Sequence, residues 1–96
     1  MHVVTAEFWP TEGNRDALIK RLRQQASDSL GNEPDCHVFD VCIDQNDPDC
    51  ILLYEVYSDP GAFAHHLETD HFQAFASDTE TLVADKHVRQ FDRLTA

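Results

Sequence analysis

The sequence predicts an α+β fold of the ferredoxin-like βαββαβ type, a four-stranded antiparallel sheet with helices against it. Three observations predict it. A β-branched and aromatic run at the start halts at a proline, a long amphipathic helical pattern follows, and two apolar runs are joined by a polar turn containing proline. The chain has 96 residues, 42% of them hydrophobic, with three Gly and four Pro. That is the composition of one folded domain, read here as spanning residues 1–96, and it excludes a disordered chain.

The elements follow in order. Residues 2–9 (His-Val-Val-Thr-Ala-Glu-Phe-Trp) read as a strand ended by Pro10. Thr11 offers a helix N-cap, and Glu12 suits the positive end of the helix dipole. Leu18, Leu22, Ala26 and Leu30 recur every fourth residue with Ile19 beside them, while Lys20, Arg21, Arg23 and Gln24 point away. Gly31 and Pro34 then stop the helix. Cys36 to Ile43 and Cys50 to Tyr57 read as strands, joined into a hairpin by Asp44-Gln45-Asn46-Asp47-Pro48-Asp49. Asp59 caps a second helical region with Pro60 at its first position. That region breaks near Thr69-Asp70, where a short helix carrying Phe72, Phe75 and Ala76 begins. Val83 to Phe91 reads as the last strand.

Alternation assigns faces. On the second strand Phe39, Val41 and Ile43 share one face, while Cys36, Val38 and Cys42 share the other. On the third, Ile51 and Leu53 oppose Leu52, Tyr54 and Val56. A sheet with helices on one face leaves its other face polar. Two apolar faces therefore predict a second subunit, a homodimer with its sheets face to face.

Charge narrows the partners. The formal charge is −11, from 18 Asp and Glu against 7 Lys and Arg. Nucleic-acid binding needs clustered Lys and Arg, and an anionic membrane surface would repel such a chain. No segment approaches the roughly 20 apolar residues of a membrane span, and the N-terminus lacks a basic-then-apolar leader pattern. Three cysteines without metal-type spacing read as reduced thiols in a cytoplasmic protein.

Six histidines are many for this length, and three fall within Phe63-Ala64-His65-His66-Leu67-Glu68-Thr69-Asp70-His71-Phe72. On a helix His66 joins the apolar stripe, three residues after Phe63, whereas His65 turns to solvent. His71 lies in the first turn of the next helix, within reach of Phe75. The unperturbed pKa of an imidazole, near 6.5, suits proton transfer at neutral pH. His65, His66, His71 and His87, with Glu68 or Asp70, do not match a metal-ligand spacing, so no metal is expected. Cys36, Cys42 and Cys50 read as packing residues, since a nucleophilic thiol needs a cation beside it. Glu55 stands mid-strand in Leu-Leu-Tyr-Glu-Val-Tyr, where a buried carboxylate needs a partner such as a helix-borne histidine or Arg89. Asp40, in Val-Phe-Asp-Val, poses the same question.

Four stretches in order carry a family resemblance: Val3 to Phe8, Glu33 to Val41, Leu53 to Tyr57, and Ala64 to Phe72. The last reads Ala-His-His-Leu-Glu-Thr-Asp-His-Phe, with His66 and His71 at the two histidines of the pattern. The chain resembles the antibiotic biosynthesis monooxygenase (ABM) family, which includes quinol monooxygenases and an isomerase of phosphorylated autoinducer-2. Asp35 departs from the glycine usual there. The resemblance implies a dimeric α/β barrel with a pocket between sheet and helices. Haem-degrading relatives carry Asn, Trp and a ligating His where this chain has Ala6 or Glu7, Tyr57, and Phe75 or Ala76, so haem is not expected.

The function this implies is a cofactor-independent monooxygenase acting on a small phenolic or quinol-like aromatic substrate. His66 is expected as base, His71 as anion-stabilising donor or second base, and Glu55 as the residue orienting an imidazole. Phe39, Tyr54 and Phe72, with Asp40, are expected to contact substrate. The alternatives are an isomerase of a small phosphorylated carbonyl compound, which the scarcity of Lys and Arg bar Arg89 and Lys86 disfavours, and a non-catalytic dimeric module binding an apolar ligand.

Overall fold

In the computed structural model, which describes residues 1–96, the chain runs β1 (His2–Pro10), α1 (Arg15–Asn32), β2 (Cys36–Ile43), β3 (Ile51–Tyr57), α2 (Pro60–Glu68), α3 (Asp70–Thr79) and β4 (Val83–Asp92). The strands form one antiparallel sheet in the order β2-β3-β1-β4. This is the ferredoxin-like order read from the sequence, with the second helical region split into α2 and α3. No helix is long and apolar enough to cross a membrane.

Pairing register decides what faces the helices. Val4, Ala6 and Phe8 of β1 lie in the core, and across the ladders Val4 meets Glu55 on β3 and Gln90 on β4. Directly paired residues share a face, so two polar side chains are carried onto the inner, helix-covered side. One alternation-based expectation fails on β2. The register shifts between Cys36 and Val38, and this irregularity puts Cys36 in the core with Phe39 rather than on the outer face with Val38.

Helix α1 also departs from its predicted stripe. Its buried positions are Leu18, Leu22, Gln25 and Ser29, spaced by four, three and four residues, while Leu30 is 48% exposed. A strict four-residue spacing overshoots a helical turn by about 40° per step, which carries Leu30 off the buried face. The start differs as well. Gly13, at φ 79°, turns the chain, and the helix begins after Asn14 rather than after Thr11, whose Oγ1 instead accepts a hydrogen bond from the Asn14 amide. Gly31 lies inside α1, and the helix ends at Asn32 with Glu33 as its C-cap, ahead of Pro34.

Two caps set the starts of α2 and α3, and the second lies at the break between them. Asp59 accepts from the Ala62 amide with Pro60 following it, and Thr69 Oγ1 accepts from the Phe72 amide. Thr69 thus ends one helix and starts the next, setting His66 near the close of α2 and His71 at the opening of α3. The outer sheet face carries Val3, Val38, Leu52, Val56 and Phe91, interleaved with Thr5, Glu7, Asp40 and Arg89.

The helix phasing yields a direct contrast. Leu22→Ala should lower the unfolding free energy by about 2–5 kcal/mol, whereas Leu30→Ala should stay within about 0.5 kcal/mol of the parent. Urea denaturation of both variants checks the assignment, and equal losses would contradict it.

Candidate active site

The site begins at the end of α1. Glu33 keeps the phase of the buried helix face, four residues after Ser29, and turns a carboxylate inward where it is 4% exposed. Its Oε2 accepts a hydrogen bond from His66 Nδ1 at 2.8 Å and another from His71 Nε2 at 2.6 Å. A carboxylate only accepts, so each ring nitrogen facing it carries a proton. His66 is left with Nε2 as its free nitrogen, and its ring lines a cavity between helices and sheet. His71 reaches Glu33 without lining that cavity.

Aromatic rings enclose His66. Phe39, Tyr57, Phe63 and Phe72 lie with centroids 5.2 to 6.1 Å from it, Phe63 nearly parallel and Phe72 edge-on. The residue is 3% exposed. Burial pushes its pKa below the ordinary 6.5, outweighing the hydrogen bond and charge of Glu33, which pull the other way. The imidazole is therefore neutral near pH 7, protonated on Nδ1 and basic at Nε2.

The cavity has a volume of about 280 Å³, at the lower edge of the usual range for small-molecule pockets. Phe39, Phe63, Phe72 and Phe75 give it apolar walls, and Gln25, Glu55, Lys86 and Gln90 add polar points. Glu55 Oε1 accepts from the Tyr57 hydroxyl at 2.6 Å. Burial raises the Glu55 carboxyl from 4.5 to about 7, against the smaller opposing effects of that hydrogen bond and of Lys86. Near neutrality Glu55 can either hold or release a proton.

The sequence-predicted residues divide accordingly. His66, Glu55, Phe39 and Phe72 meet at the cavity. The imidazole partner expected of Glu55 is instead Glu33, while Glu55 bonds Tyr57. Tyr54 and Asp40 pair with each other across β2 and β3, both exposed, one position out of phase with Glu55 and Phe39. Alternation sends them to the outer face, away from the cavity. Cys36 and Cys50 are buried, and burial raises both thiols, Cys36 to about 12, so neither is a thiolate nucleophile. Cys42 is exposed rather than packed.

Sequence reasoning missed Glu33 as a site residue and passed over Gln25. The available signal was their register with Leu18 and Leu22 on one helix face. The donor atoms of Glu33, His66 and His71 all lie within 4.8 Å of one another, so this trio, rather than any set drawn from His65 or His87, is the one able to hold a divalent ion.

The sequence profile of the family described as antibiotic biosynthesis monooxygenase matches residues 1–78. The chain belongs to the ABM family. Solved structures agree. Protein PA3566 of Pseudomonas aeruginosa is 26% identical with a TM-score of 0.89, the match covering 98% of this chain and 94% of that one. Protein SO0527 of Shewanella oneidensis is 27% identical at TM-score 0.86, with 94% and 87% covered. A protein of Chloroflexus aurantiacus J-10-fl bearing the same family name is 26% identical at TM-score 0.85, with 99% and 94% covered. No curated protein sequence matches the chain. ABM membership supports a monooxygenase-type function in general.

Glu55 gives a stability signature in this ABM protein. Its carboxyl binds its proton up to about pH 7 in the folded chain and only up to 4.5 when unfolded. Between those values the native state holds more protons, so the stability that Glu55 contributes falls as pH rises through this window and reaches its floor above 7. At 1.36 kcal/mol per unit the decline amounts to roughly 3 kcal/mol. His66, with its lowered value, acts in the opposite sense as pH rises toward 6.5 and is left in place by Glu55→Gln. Urea unfolding at pH 4.5 and pH 8 should show Glu55→Gln free of the Glu55 decline, and unchanged pH dependence would mean that Glu55 ionises freely.

Proposed function

We propose that this ABM protein is a cofactor-independent monooxygenase of small phenols or quinols. The observation that carries the reading is the neutral His66, held by Glu33 through Nδ1, with Nε2 free in an apolar aromatic cavity. A phenol entering there loses its proton to Nε2, and the anion passes one electron to O₂. The aryloxyl radical and superoxide combine at a ring carbon, forming a C–O bond. The resulting peroxide takes its proton back from His66, and the freed Nε2 then removes the hydrogen of the same ring carbon as a proton. The electrons of that C–H bond form the ring carbonyl as the O–O bond breaks and hydroxide departs, to be protonated to water. One oxygen atom ends in the quinone and the other in water, and the substrate supplies every electron. Glu55, titrating near 7, is suited to deliver the proton to the departing hydroxide. Glu33 orients His66, and His71 fixes the Glu33 carboxylate from its other side.

An isomerase of a phosphorylated compound finds less support. Phosphate recognition calls for several cationic donors, and the cavity has Lys86 alone, since Arg89 stacks on Phe91 on the outer face. Oxygen uptake in chelator-treated buffer, measured with simple quinols, tests the reading. General-base loss in His66→Ala should lower kcat/KM by at least about a hundredfold. Because Glu33 holds the His66 pKa up, Glu33→Gln should move the acid limb of the pH–rate profile to lower pH. No uptake above background, or turnover unaltered in His66→Ala, sinks the assignment.

The proposal extends to assembly as a homodimer through the outer sheet face. Val38, Leu52, Tyr54 and Phe91 leave apolar area open on a face that no helix covers, Tyr54 being 36% and Phe91 38% exposed, and sheet-to-sheet packing would remove it from water. Sedimentation at micromolar concentration should give a dimer, and Val38→Asp should abolish it. A compact species of 10.9 kDa for the parent chain would contradict the assembly.

A further inference from the structure

One polar group in the cavity has no part in the chemistry above. Gln25, on the buried face of α1, is 1% exposed and lines the cavity, yet neither its Oε1 nor its Nε2 meets a hydrogen-bond partner in the protein. Polar atoms this deeply buried are nearly always paired, and leaving them unpaired destabilises the fold. Leucine fills the two preceding positions of the same face, Leu18 and Leu22, so an apolar residue at 25 would continue the stripe. The packing around this wall residue thus supplies its amide with no partner, and the cavity it lines is where one can come from.

We propose that Gln25 is a specificity-determining residue whose amide binds a second, uncharged polar group of the substrate, distinct from the hydroxyl that His66 deprotonates. The inference rests on the phenol reading of the cavity and adds the substrate's other functional group. A primary amide presents an acceptor and a donor side by side in one plane. Its complement is a carbonyl flanked by N–H or O–H, as in a carboxamide, a lactam or a neutral carboxylic acid. A carboxylate has no proton to give Oε1, and an ammonium has no lone pair for Nε2. A cavity of about 280 Å³ with aromatic walls has room for one substituted ring. The substrate class is therefore a compact phenol bearing a neutral donor–acceptor substituent. Sites built to pair a polar group discriminate strongly against analogues that lack it, because their own atoms are then left unpaired.

Calorimetric titration under anaerobic conditions with three uncharged phenols separates the possibilities. 4-Hydroxybenzamide offers the donor–acceptor pair, 4-hydroxyacetophenone an acceptor only, and 4-ethylphenol neither. The parent protein should bind them in that order, the amide at least tenfold more tightly than 4-ethylphenol. In Gln25→Met, with Gln25→Leu as the second apolar variant, the preference should reverse. The ligand-free variants should also melt at a higher temperature, since no amide remains unpartnered; a structural amide would instead lower it. No preference for 4-hydroxybenzamide in the parent, a preference retained in both variants, or a lower melting temperature in both overturns the role of Gln25 while leaving phenol binding intact. Failure of the parent protein to bind any of the three phenols overturns this inference and the phenol reading together.

Discussion

A single carboxylate oxygen joins the three helices. Oε2 of Glu33, immediately after α1, takes one hydrogen bond from the end of α2 and one from the start of α3. All three groups are largely withdrawn from water, and a buried carboxylate is tolerated only where its acceptor capacity is used. The requirement constrains everything nearby. Thr69 must end α2 and cap α3 at that point, so that His66 and His71 approach Glu33 from different helices. The aromatic shell of Phe39, Tyr57, Phe63 and Phe72 then closes over the first imidazole. The shell keeps His66 neutral against the pull of Glu33, and the Glu33 oxygen decides which ring nitrogen is left free.

The strand and helix order was legible because it depends on local signals. Pro10, the Asp44–Asp49 turn and the Asp59-Pro60 cap each act within a few residues. Element phase was less legible. The β2 irregularity reassigned Cys36, and the drift of a four-residue repeat around α1 exposed Leu30 while burying Gln25 and Ser29. His66, Glu55, Phe39 and Phe72 were recoverable, being chemically distinctive residues in apolar runs. For Glu33 the helix phase could show only that the residue faces inward; its partners lie 33 and 38 residues away, and no local pattern announces that two distant histidines will share it. Tyr54 and Asp40 were misplaced for the converse reason: their identities suited a site, but the parity of the strand sent them to the outer face.

Helix α1 shows how the fold divides stability from recognition along one line of residues. Leu18 and Leu22 make its first buried turns purely apolar, and Gln25, Ser29 and Glu33 follow in the same phase. Hydrophobic packing thus anchors the N-terminal half, while the C-terminal half turns polar atoms inward. Of these, Glu33 is paired within the protein, whereas the Gln25 amide and the Ser29 hydroxyl are not. Continuing the leucine stripe would have given a more stable helix, so the polar half is the place where stability has been given up.

Burial is also what makes the two acid–base groups of the cavity compatible. In water at pH 7 a glutamate would be ionised, with no proton to give, and its charge would favour the protonated form of a histidine beside it. Removing them from solvent disfavours both charges, lowering His66 and raising Glu55. Because each is bonded to a different partner, Glu33 for one and Tyr57 for the other, the two do not collapse onto each other. Near neutral pH the cavity can then offer an imidazole lone pair and a carboxyl proton at once, with little net charge on its walls beyond Lys86. Such an interior admits an uncharged aromatic molecule more readily than an ion, and it confines charge development to the moment a proton moves.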